Sequence, residues 1–120
     1  MKGKRKFSVK ERLKSFKYAA NGLRILVIQE HNARIHVSVA IVAVTLGLVL
    51  KLSYLEWIAI LIAIAMVFVP EIFNTAIERL CDFVQPGHNQ AIKEIKDIAA
   101  GAVLISAMFA VVIGIILLLV

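Results

Sequence analysis

Glu71, Asn74, Glu78 and Asp82 stand at spacings of three, four and four in a chain of 120 residues. On an α-helix those intervals bring three carboxylates and one amide to the same face. Such a stripe can hold a hard divalent cation through its oxygens, take a proton from a hydroxyl, or do both. Residues 57–70, which lead into it, carry no charge, so the stripe grows out of a segment suited to a membrane. Ionisable groups at membrane depth are costly and usually functional. The plain alternative is interhelical glue, each acid bonded to a Ser, Thr or Lys. Three acids on one face, with more at matching depth, favour function.

Those further acids come from other segments. Glu30 precedes the first long apolar stretch, and Lys96-Asp97 opens the last. The stripe crowds the carboxyl-terminal end of its helix, where the macrodipole disfavours negative charge. A bound divalent cation or a nearby Lys compensates. Glu56 is explained by helix capping. His31, His36 and His88 lack metal-ligand spacing and fit polar interfacial roles. Pro70 removes one backbone hydrogen bond just before Glu71, as a kink or as a tolerated proline. Ala99, Ala100, Gly101 and Ala102 suit close helix packing. No GxxxxGK[ST], GxGxxG or HRD motif is present, so no soluble nucleotide-binding fold is indicated.

Composition says what must position these groups. The chain is 61% hydrophobic, above the roughly 45–50% of soluble chains, and its mean hydropathy is +0.89. A soluble domain of this size cannot hide that much apolar surface, and disorder needs the opposite composition. The single Cys81 excludes a disulfide framework. Net charge is +6, but nine of the 14 Lys and Arg lie in residues 1–24. A basic block ahead of apolar segments reads as a cytoplasmic flank on an anionic membrane surface, not as a nucleic-acid site. The first long apolar stretch begins only near residue 35 with no A-x-A site, so the chain is expected to be unprocessed.

Four helices follow, in a single membrane domain over 1–120. Ser8-Val-Lys-Glu11 fits a capping box. Leu13, Phe16, Ala20, Leu23 and Val27 then recur at helical spacing opposite Lys10, Lys14, Lys17 and Arg24. This is an amphipathic surface helix over about 8–28. Spans are expected at about 33–51, 54–80 and 97–120, the last with 23 uncharged residues over 98–120. Ser53-Tyr-Leu-Glu56 is a second capping box, and Tyr54 and Trp57 suit the interfacial aromatic belt. Gln85-Pro-Gly-His-Asn89 is a turn, with Asn89 as N-cap of the next helix. From Tyr54 at the outer interface, Glu71 lies about 26 Å along the helix and Glu78 about 36 Å. That places Glu71 just inside the inner hydrocarbon boundary and Asp82 in the headgroup zone. The fold class is thus an all-α integral membrane protein, multi-pass, with its amino terminus cytoplasmic.

The run Glu71-Ile-Phe-Asn-Thr-Ala-Ile-Glu78, Asp82, and Lys96-Asp97-Ile-Ala-Ala-Gly-Ala-Val103 resembles the prokaryotic diacylglycerol kinase family, which includes undecaprenol kinases. Glu30-His-Asn-Ala-Arg34 and Tyr18 ahead of Gly22-Leu-Arg24 also match, so the likeness covers roughly residues 12–105. The resemblance implies a homotrimeric helix bundle with active sites shared between subunits at the cytosolic face of the cell membrane. It implies Glu71 as catalytic base, and Glu30 and Glu78 as ligands of Mg²⁺ held against ATP. Tyr18, Gly87, His88, Asn89, Lys96 and Asp97 correspond to nucleotide contacts, Lys96 at the phosphates. Asn74, Asp82 and Arg34 correspond to supporting residues, as does a basic residue early in the surface helix, Arg12 or Lys14. Residues 87–89 are not the family's commonest, and Pro70 is outside the motif.

The expected activity is therefore phosphoryl transfer from ATP to the hydroxyl of a membrane lipid, diacylglycerol or undecaprenol. Such transfer is mainly positioning and charge neutralisation, so it needs no large nucleotide domain. The alternative is a small proton-coupled transporter using Glu71. Against it, the acids cluster at one interface and not at the midplane, where transport sites usually lie.

Overall fold

The computed structural model describes residues 8–120, which form four helices and, among the described residues, no strand. They group into two compact units, one ending at Ile35 and the other His36–Val120.

The first unit contains helix α1, Val9–Gln29, which starts because Ser8 Oγ accepts the Glu11 N–H at 3.4 Å. No α1 residue is buried, and Leu13, Phe16, Leu23 and Val27 are all exposed. Glu30 interrupts the helix with an extended backbone, φ −108° and ψ 116°. Its N–H donates to Leu26 O at 2.8 Å, and its carbonyl accepts the Arg34 N–H at 3.4 Å. One residue therefore closes α1 and opens α2, His31–Leu50.

In the second unit, α2 ends in a left-handed cap. Lys51 has φ 54°, and the Leu52 N–H returns to Gly47 O at 3.3 Å. This is the Schellman arrangement, in which the left-handed position usually falls to Gly. Gly47 is buried, because Trp57 and Leu52 lie on it: a Cβ there would sit 2.7 Å from Trp57 Cη2 and 3.1 Å from Leu52 Cδ1. Helix α3, Tyr54–Val84, begins with a complete capping box between Ser53 and Glu56, and runs without interruption through Pro70. Helix α4, Gln90–Leu119, is capped by Asn89 Oδ1, which accepts the N–H groups of Ala91 and Ile92.

Helices α2, α3 and α4 are each long and apolar enough to cross a membrane. At 1.5 Å per residue, the 31 residues of α3 and 30 of α4 reach about 45 Å, beyond a hydrocarbon core of about 30 Å. The surplus is the polar end of each helix, joined by the turn at 85–89. The buried side chains Cys81 and Ala99 lie on α3 and α4, which pack along one another. Most large apolar side chains are exposed, as suits a protein whose solvent is lipid.

Candidate functional site

The acid stripe forms as its spacing predicts. At 100° per residue, Glu71, Asn74, Glu78 and Asp82 fall within an arc of about 80° on α3. They differ in setting: Glu71 and Asn74 are half-buried, whereas Glu78 and Asp82 are exposed. Asn74 Oδ1 is buried and accepts no hydrogen bond from any described residue. An orphaned buried acceptor costs about 1–3 kcal/mol, so this amide is open to a further donor.

Two acids of the stripe meet a basic side chain on another helix. Lys96 Nζ on α4 donates to Asp82 Oδ1 at 2.6 Å. One turn away, Lys93 Nζ donates to Asp97 Oδ2 at 2.7 Å. Glu71 Oε2 lies 3.7 Å from His36 Nε2 on α2. The positive charge that the end of α3 requires is thus supplied in part by Lys96. No motif anticipates the approach of His36, since 35 residues and a helix boundary separate it from Glu71.

Where α3 turns into α4, a pocket of about 230 Å³ opens, lined by Gly87, His88, Asn89, Ile92, Lys93, Lys96 and Asp97. It gathers all five candidate nucleotide contacts of this hairpin. Ile92 and Lys93 join them, and the i, i+3, i+4 spacing from Asn89 carries the signal that finds both. Two lysines, the Asp97 carboxylate and an irregular turn make a place where phosphate oxygens can displace an intramolecular carboxylate. A second, apolar groove of about 370 Å³ runs between α2 and α3, from Val37 and Phe68 to Val44 and Leu61.

The remaining candidates belong to the first unit. Glu30 sits at the break between α1 and α2, where its backbone serves both helices. Arg34 Nη1 donates to Ile28 O at 3.3 Å. Arg12, Lys14 and Tyr18 are exposed on α1. On the other helices, Ser106 Oγ of α4 donates to Met66 O of α3. Met66 is four residues before Pro70, so its carbonyl is the one that the missing proline N–H leaves without an intrahelical partner.

An all-helical, multi-pass membrane protein with a stripe of acids at the end of one span, and lysines facing them across a turn, has the parts for charge-neutralised group transfer at a membrane surface. The sequence profile of prokaryotic diacylglycerol kinase matches residues 17–118. The undecaprenol kinase of Bacillus subtilis is 35% identical over 106 residues, 88% of this chain and 86% of that protein. The diacylglycerol kinase of Synechocystis is 34% identical over 103 residues, 85% of this chain and 59% of that protein. The diacylglycerol kinase of Helicobacter pylori strain 26695 is 30% identical over 110 residues, 86% of each chain. The chain belongs to the prokaryotic diacylglycerol kinase family and is a membrane lipid kinase. That membership leaves the transporter reading without support.

Proposed function

We propose that the chain transfers the γ-phosphoryl group of ATP to the primary hydroxyl of a membrane lipid, diacylglycerol or undecaprenol, at the cytosolic face of the cell membrane. The observation that carries this reading is the pocket at the α3–α4 turn, where Gly87, His88, Asn89, Lys96 and Asp97 meet beside the acid stripe. The apolar groove between α2 and α3 offers the lipid tail a course alongside the helices.

Glu71 acts as the base. It accepts the hydroxyl proton as the lipid oxygen bonds to the γ-phosphorus and the β–γ bridging bond breaks, releasing ADP. Lys96 neutralises phosphate charge, and Asp82 holds it extended until ATP arrives. Among the described residues no three His, Cys, Asp or Glu side chains gather to hold an ion. Mg²⁺ is usually held by one or two carboxylates plus substrate phosphates, which suits a site completed by ATP. Glu30 and Glu78 are the carboxylates that would hold it with ATP, and the ion would neutralise the charge developing on the phosphates. Tyr18, with Arg12 or Lys14 and Arg34, would contact the nucleotide or steady its surroundings.

The working unit is proposed to be a homotrimer with sites shared between subunits. Two observations support this. The pocket, at about 230 Å³, is smaller than the roughly 300–1,000 Å³ of a complete small-molecule site. Along α3, Glu71 and the Asp82 that holds Lys96 are about 16 Å apart, longer than a triphosphate chain. The basic amino-terminal block supports a cytoplasmic amino terminus.

The test is phosphorylation by the purified protein in mixed micelles, with labelled ATP, Mg²⁺ and either diacylglycerol or undecaprenol. Label in one extracted lipid is expected and names the substrate. Label in neither, from protein that remains folded, would remove both lipids from the reading.

A further inference from the structure

We propose that His36 is a positioning residue for Glu71, holding one oxygen of its carboxylate so that the other faces the lipid hydroxyl. This rests on Glu71 being the base.

The pair is built across two helices. His36 Nε2 lies 3.7 Å from Glu71 Oε2, with the side chains 30% and 20% exposed. The imidazole is itself oriented: Phe68, one turn before Glu71 on α3, meets it edge to face with ring centres 6.2 Å apart and planes at 69°. The ring plane is therefore set by packing, and its Nε2 edge is directed at the carboxylate. The far side of the dyad is fixed as well, because the α3 backbone before Glu71 is tied to α4 through Ser106 and Met66.

The chemistry follows from the freedom of a carboxylate. Its last torsion is broad, and an unanchored Glu71 presents either oxygen over a wide arc. A donor on Oε2 leaves Oε1 to receive the proton, which is the role that positioning has in phosphoryl transfer. The 3.7 Å separation lies just outside hydrogen-bond range, and such contacts commonly tighten when substrate binds. A bonded carboxylate near the hydrocarbon boundary is also less costly than a bare one. Val37, next to His36 in the chain, and Phe68, which packs on the His36 ring, both line the apolar groove, so a lipid lying there passes beside the dyad.

Two substitutions separate the N–H from the ring. His36→Phe keeps an aromatic ring against Phe68 but has no donor. His36→Gln keeps an N–H that reaches Glu71 and has no ring. Turnover is measured per folded protein, with KM for ATP and a thermal melt in detergent alongside. The expected result is a drop in kcat of about 10–100-fold for His36→Phe, an unchanged KM for ATP, and recovery to within a few-fold of wild type in His36→Gln. Full activity in His36→Phe overturns the proposal. So does an equal loss in both variants, or a loss that tracks the melt, because each assigns His36 to structure alone. Glu71→Gln run in parallel tells the two readings apart. An inactive Glu71→Gln beside an active His36→Phe sinks only the positioning role, whereas an active Glu71→Gln sinks the base and the positioning role together.

Discussion

Ser106 on α4 completes the backbone hydrogen bonding of α3 where Pro70 lacks an N–H, by donating its hydroxyl to the Met66 carbonyl. Pro70 lacks the N–H that this carbonyl would otherwise accept four residues later. In a membrane no water replaces it, and Ser or Thr side chains on neighbouring helices do so instead. The residue after Pro70 is Glu71, so the proline stands one residue from the proposed base and the repaired carbonyl five.

Ser106→Ala should therefore destabilise the protein by about 1–3 kcal/mol through the orphaned carbonyl. Pro70→Ala supplies the intrahelical donor, and in that background Ser106→Ala should cost clearly less. The check is a double-mutant cycle of thermal melts in detergent, with a coupling above about 0.5 kcal/mol expected. Equal costs of Ser106→Ala in both backgrounds would show that the two residues act independently.

Glu71 and Glu78 share a helix face but are proposed to do different work. Glu71→Gln should lower turnover by about 10²–10⁴-fold with ATP binding kept, since an amide cannot accept the proton. Glu78→Gln should lose activity through weaker metal–nucleotide binding, and raising Mg²⁺ should restore part of it. Glu71→Gln should show no such recovery. A Mg²⁺ titration of lipid phosphorylation reads both, and an unchanged Mg²⁺ dependence in Glu78→Gln would argue against Glu78 as a ligand.

The hairpin between α2 and α3 holds two positions with opposite expectations. Gly47→Ala gains about 1 kcal/mol of helix propensity, but its methyl would meet Trp57 Cη2 at 2.7 Å. The indole or α2 must shift, so the melt should fall. Lys51 has φ 54°, a conformation costing a side-chain-bearing residue about 1–2 kcal/mol. Lys51→Gly should raise the melt, since glycine adopts this conformation without steric cost.

The proposed topology rests on the basic amino-terminal block and three candidate spans. In a Cys81→Ala background, single cysteines in place of Ser53 and His88 should react with impermeant reagent from opposite sides, Ser53 from outside. Reaction of both from the same side would contradict a membrane-crossing α3 between them.

The sequence by itself determined whatever is local to a helix. Ser53, Glu56 and Asn89 cap the helices they precede, because capping acts over three residues of chain. Glu71, Asn74, Glu78 and Asp82 share a face, because 3.6 residues per turn leaves no other arrangement. The expected span edges at 80 and 97 differ from the helix ends at Val84 and Gln90 for a simple reason. Hydropathy marks where hydrocarbon stops, while backbone hydrogen bonding continues to the next turn residue. Only the tertiary structure decided which groups meet across helices. His36 facing Glu71, Ser106 serving Met66, and Lys96 held by Asp82 depend on how far each helix is rotated and shifted along its neighbour. Spacing within one helix carries no information on that rotation and register. Packing sets them, through small residues such as Gly47 under Trp57 and Ala99 on the face of α4 that meets α3.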